Sequence, residues 1–165
     1  MKQIYTVKKE IIYLIVTLLL GYFLNVLFFG KNALSFSQTL NINIYDTYFV
    51  FQSFAVLIFI IVLTIFLLYL VRTIWFRFQN NWANIIAVVA TIAMLVSVDS
   101  LVSMIDSFAA LSLENIVGSL SNYTDSSKEM SAYLNNTSLI AKIFQACLLL
   151  ILVFFSFKIG SNNSK

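Results

Sequence analysis

The chain has 165 residues, of which 61% are hydrophobic and only 10% charged, and its mean hydropathy is +0.93. A soluble domain carries about 25% charged and 45–50% apolar residues, so this composition excludes both a soluble globular fold and a disordered chain. The net charge of +3 is spread over ten scattered cations without a basic stripe, which argues against nucleic acid as a partner. Histidine is absent, so the commonest metal ligand and general base are missing. The single cysteine, Cys147, permits neither an internal disulfide nor a multi-thiolate metal site. No cofactor is expected.

Four apolar stretches organise the sequence. The first covers about 11–29, interrupted by Thr17, Gly21 and Asn25. Nineteen helical residues rise roughly 28 Å, close to the hydrocarbon thickness. Lys2, Lys8 and Lys9 before it and Ala33-Leu34-Ser35 after it resemble a secretory signal. Its apolar core exceeds the roughly 7–15 residues that signals use, so a retained anchor is expected. The second stretch, about 48–71, contains Gln52, Ser53 and Thr64 as its polar members and ends at Arg72. The fourth, about 139–159, contains Lys142 and Gln145. The third is purely apolar only from Ile85 to Val98, about 21 Å of helix, and crosses only if it continues through Asp99, Ser103 and Asp106.

Charge placement selects four crossings at about 11–29, 48–71, 84–107 and 139–159. Lys2, Lys8, Lys9, Arg72, Arg77, Lys158 and Lys165 then share one side, while the opposite segments carry Lys31 and Lys128 against Asp46, Glu114, Asp125 and Glu129. That is the positive-inside bias with both termini cytoplasmic, and Trp75 and Trp82 fall at the cytoplasmic interface. The expected fold is an all-α integral membrane protein, a four-helix multi-pass bundle forming a single domain over 1–165. The expected location is the bacterial cytoplasmic membrane.

Two outer loops, about 31–47 and 111–138, remain. In the first, Leu40-Asn41-Ile42-Asn43-Ile44 alternates as a short strand does and is expected to lie across the helix ends. In the second, Leu113, Ile116, Val117 and Leu120 share one helical face, and Ser126 with Glu129 forms a capping box before Met130, Tyr133 and Leu134. Two short amphipathic helices are predicted there. Asn122, Asn135 and Asn136 stand in glycosylation sequons, which matter only in a secretory pathway.

The third helix carries the chemistry. Asp99 and Asp106 lie two turns apart on one face, about 10 Å along the axis, with Ser103 between them and Ser100 and Ser107 beside it. A charge at the depth of Asp99 should face the bundle and be paired or protonated. Lys142 lies at the depth of Asp106, with Gln145 one turn further in and Gln52 and Ser53 at a corresponding depth on the second span. These groups form a candidate intramembrane polar cluster, read as interhelical glue or as a proton or cation site. Lys142 by itself could instead snorkel to the interface. Ala83, Ala87, Ala90 and Ala93 read as close-packing positions, and Asn25 as an interhelical hydrogen bonder. Two acids on one helix do not make an aspartyl protease dyad, no glycine-rich nucleophile turn accompanies Ser or Lys, and Cys147 among Leu and Ile reads as a buried, inert thiol.

Tyr45-Asp46-Thr47-Tyr48-Phe49-Val50, leading into an apolar helix, resembles the entry to a haem-ligating helix of haem-copper oxidase subunit I. The family's His-Phe-His triplet aligns with Ser53-Phe54-Ala55, so both histidine ligands are absent and haem ligation of that kind is closed to this chain. The resemblance implies a degenerate relative that kept the helix-entry turn, with Asp46 and Thr47 as capping groups.

No catalytic constellation emerges. The sequence therefore points to a non-enzymatic accessory or interaction subunit that contacts lipid, other membrane subunits or a second copy of itself. The alternative is a proton- or cation-handling protein using Asp99 and Asp106.

Overall fold

With no proline and only four glycines, the chain has few residues that interrupt a helix. In the computed structural model, which describes residues 2–30, 39–44, 47–118 and 125–163, the elements are α1 (Lys2–Phe29), β1 (Thr39–Ile44), β2 (Thr47–Gln52), α2 (Ser53–Trp75), α3 (Asn81–Gly118) and α4 (Asp125–Asn163). Each helix contains a segment long and apolar enough to cross a membrane: Val7–Phe29, Ser53–Trp75, Asn81–Ala110 and Ser131–Ser161. The third continues through Asp99 and Asp106, as a crossing requires.

Two expectations about element boundaries are corrected. The second span starts at Ser53 rather than at residue 48, because Thr47–Gln52 forms β2, paired antiparallel with β1 from Ile44↔Thr47 to Thr39↔Gln52. An apolar run rich in aromatic and β-branched residues suits strand or helix equally until a partner strand is present, and Leu40–Ile44 supplies that partner. The residues between the strands, 45 and 46, lie outside the described ones. The predicted amphipathic helices are also not separate elements. Leu113, Ile116 and Val117 continue α3 to Gly118, and Ser126 to Leu134 belong to the first turns of α4. No proline or glycine separates them from the spans, and a helix that continues avoids leaving a further set of end groups unpaired. Leu120, Asn122 and the capping-box side chains lie outside the described residues.

The chain divides into two compact units, Met1–Met94 with Leu152–Lys165, and Leu95–Ile151. In the first, α1 buries a narrow stripe of polar and small residues, Glu10, Thr17, Gly21 and Asn25, while Ile12, Leu19, Phe23 and Leu27 are exposed. A Cβ at Gly21 would stand 3.2 Å from the Ile61 Cα, so α1 and α2 approach backbone to backbone there. The hydroxyls on this pair are satisfied within their own helices: Thr17 donates to the Tyr13 carbonyl at 2.8 Å and Thr64 to the Ile60 carbonyl at 2.7 Å. On α3, Ala83, Ala87 and Ala90 are buried, as close-packing positions should be. Membrane helices pack through such small residues, since lipid provides no hydrophobic drive to bury large ones.

A tight turn joins α2 to α3. The Phe78 amide donates to the Thr73 carbonyl and the Phe76 amide to the Arg72 carbonyl, both at 3.0 Å, closing the last turn of α2. Arg77 and Phe78 both adopt left-handed conformations, with φ of 49° and 62°. For non-glycine residues this costs about 1–2 kcal/mol each. The Phe78 ring offsets the strain by burying itself edge-on against Phe155, centroids 5.4 Å apart. Its carbonyl accepts from Asn84 Nδ2 at 2.8 Å. The Asn80 side chain caps α3 by accepting from the Ala83 amide at 3.4 Å.

In the second unit the buried residues are apolar or small: Val98, Val102 and Ala109 on α3, and Leu134, Ser138 and Leu148 on α4.

Candidate functional site

Two polar assemblies stand out, one in each unit. That of the second unit lies on the predicted face. Lys142 Nζ donates to Asp106 Oδ2 at 3.0 Å, and Ser138 Oγ donates to Asp106 Oδ1 at 2.5 Å. About two turns along α4 from that hydroxyl, Gln145 Nε2 donates to Asp99 Oδ1 at 3.1 Å. The order of these contacts means that α3 and α4 run in opposite directions here. Lys142 is thus in an ion pair rather than snorkelling alone.

Asp99 was expected to face the bundle and be paired or protonated; it accepts from Gln145 of α4, yet its side chain is exposed. Asp99, Ser100, Ser103, Asp106, Ser107 and Ala110 are all exposed. With Val96 they are the exposed residues of α3 between Leu95 and Ala110, and their three- and four-residue spacing places them along one side of the helix. Ser100 and Ser107 donate to the carbonyls of Val96 and Ser103, at 3.1 and 2.8 Å, which quiets their own hydroxyls. The ion pair of Asp106 with Lys142 stays half open, with side-chain exposures of 47% and 55%. Over the same stretch of α3 the buried residues are Val98, Val102 and Ala109.

Other predicted positions fall elsewhere. Gln52 is the exposed last residue of β2 and makes no capping hydrogen bond to α2. Ser53 is fully buried, and its hydroxyl has no partner among the described residues. Thr47 opens β2, six residues before α2, so it does not cap that helix; Asp46 lies outside the described residues. Cys147 was expected to be buried and is exposed, while its neighbour Leu148, on an adjoining face of α4, is the buried one.

The assembly of the first unit is one that sequence reasoning missed. Arg72 Nη2, at the end of α2, pairs with Glu10 Oε1, near the start of α1, at 2.5 Å. Asn80 Nδ2 donates to the same oxygen at 2.6 Å. The guanidinium lies 3.9 Å from the centre of the Tyr13 ring, a cation–π contact on its other face. This pair is enclosed, with side-chain exposures of 17% for Arg72 and 5% for Glu10. Glu10 Oε2, Arg72 Nε, Tyr69 OH, Thr73 Oγ1 and Asn84 Oδ1 are buried without a hydrogen-bond partner among the described residues. A signal was available: Glu10 is the only acid before the first span, and Arg72 closes the second. Orientation rules count Lys and Arg and give little weight to acids, which is why Glu10 passed unnoticed.

Among the described residues no three His, Cys, Asp or Glu side chains come together as a metal site would require. The fold and these sites define a four-helix, multi-pass integral membrane protein. Comparison with protein-family models, with curated proteins and with solved structures yields no match to this chain.

Proposed function

We propose that this protein is a non-enzymatic accessory subunit of the bacterial cytoplasmic membrane, with both termini inside, that acts by lateral contact with another membrane protein through the polar side of α3. The observation that carries this reading is the inversion of that helix. Over Leu95–Ala110 its exposed residues are polar or small, apart from Val96, while Val98 and Val102 are buried. Lipid favours the opposite arrangement, and a charge at the bilayer centre costs about 3 kcal/mol on insertion scales. Asp99 lies about 5 Å along the helix from the midpoint of the span Asn81–Ala110. A protein surface that excludes lipid from this stripe removes the penalty, and small residues permit close approach of a further helix.

Cross-linking in membranes tests this. In a Cys147→Ser background, a cysteine placed by Ser103→Cys should form an adduct of higher mass in good yield, and one placed by Leu19→Cys should not. Equal yields at the two positions, or none at Ser103, would remove the support. Proton or cation handling is a second reading, favoured by the succession of Asp106 and Asp99 along the exposed side. Ion flux in reconstituted vesicles that is abolished by Asp99→Asn would put it ahead.

A further inference from the structure

The two aspartates of α3 are not equivalent, and the difference bears on what covers them. Both oxygens of Asp106 are engaged from α4, one by the Lys142 ammonium and the other by the Ser138 hydroxyl. Its counter-charge is supplied within the chain. Asp99 receives only the neutral amide of Gln145, on one oxygen, and no cation lies within ion-pair distance of it among the described residues. With Lys142 engaged by Asp106, the exposed face therefore presents, near mid-span, one carboxyl group that no cation pairs among the described residues.

Resting on the subunit reading above, we infer that the face of α3 receives a membrane-spanning helix of a different protein that presents one Lys or Arg at the level of Asp99. Charge complementarity selects this occupant over a second copy. Two copies oriented alike in one membrane, related by an axis along its normal, place equal levels opposite one another, so Asp99 would meet Asp99. An uncharged helix would leave the carboxylate without a counter-ion in a medium that strongly disfavours one. Ser100, Ser103, Ser107 and Ala110 are small enough to admit the incoming backbone, and the basic side chain completes at Asp99 the pairing that Lys142 makes two turns away.

The test uses the full-length protein, carrying a fluorescent protein after Lys165, in phosphatidylethanolamine–phosphatidylglycerol vesicles. The probes are acceptor-labelled membrane-spanning polyleucine peptides, each with a single Lys at a successive position. Energy transfer should peak for the peptide whose Lys reaches the level of Asp99, with association roughly tenfold tighter than for the all-leucine peptide. Asp99→Asn should abolish the peak. Lys142→Met, which strips Asp106 of its cation, should add a second peak two turns away. Absence of any peak with the unaltered protein, or a peak indifferent to Asp99→Asn, overturns the inference. Energy transfer between two differently labelled copies of the chain, competing with the peptide, also overturns it, because the occupant is then a second copy. Those failures leave the subunit reading standing as long as the Ser103 cross-link forms, and loss of that cross-link sinks both.

Discussion

The two ion pairs of this protein are built for opposite ends. Arg72 and Glu10 are shut inside the first unit, held by Asn80 and covered by Tyr13, whereas Lys142 and Asp106 lie half open on the second. The surroundings follow the same division. In the first unit α1 turns its polar and small residues inward and its large apolar ones outward, the arrangement lipid favours; in the second, α3 does the reverse. The first unit accounts for how α1 and α2 are held together, and the exposed polar stripe of the second is the surface on which the proposed lateral contact rests.

The comparison breaks most readily at Arg72. Arg72→Met leaves Glu10 charged and enclosed, and should cost about 3–5 kcal/mol in a detergent unfolding titration. The double change Glu10→Leu, Arg72→Met should recover most of that loss, since a buried pair replaced by apolar groups of similar volume is often tolerated. Unaltered stability in Arg72→Met would mean that the enclosed pair is not structural. Gly21→Val comes next. A side chain directed at the Ile61 backbone forces α1 from α2, with an expected loss of about 1–3 kcal/mol by the same titration. Arg77→Gly should raise stability by about 1 kcal/mol, because it relieves a left-handed conformation at an exposed residue. The smallest effect on unfolding belongs to Lys142→Met. Its midpoint should stay near that of the parent protein while the yield of the Ser103 cross-link changes, and a loss as large as that of Arg72→Met would erase the distinction between the two pairs.

Much of the second-unit assembly was legible from helical arithmetic. Seven residues return a helix nearly to the same side, so Asp99 and Asp106 had to share a face, and counting inward from the span ends put Lys142 level with Asp106. The direction of that face was not legible. Depth is a one-dimensional coordinate, and the rotation of a helix about its axis depends on which residues its neighbour accepts. Likewise the depth of Gln52 follows from a second span starting at residue 48, and the pairing of β2 with β1 moves it to the end of a strand.

What the sequence by itself determined is the number of helices long and apolar enough to cross a membrane and their approximate extents. Transfer of a side chain from water to hydrocarbon depends on its composition, which can be summed along a chain before any contact is known. Tertiary structure alone decided that Tyr48 to Gln52 pair as a strand, that Glu10 finds Arg72 sixty-two residues away, and that α3 turns its carboxylates outward. The first two depend on a partner supplied from elsewhere in the chain, a second strand for unpaired amides and a cation for a buried acid, and the third on the rotation of a helix about its axis, which depth along the sequence does not fix.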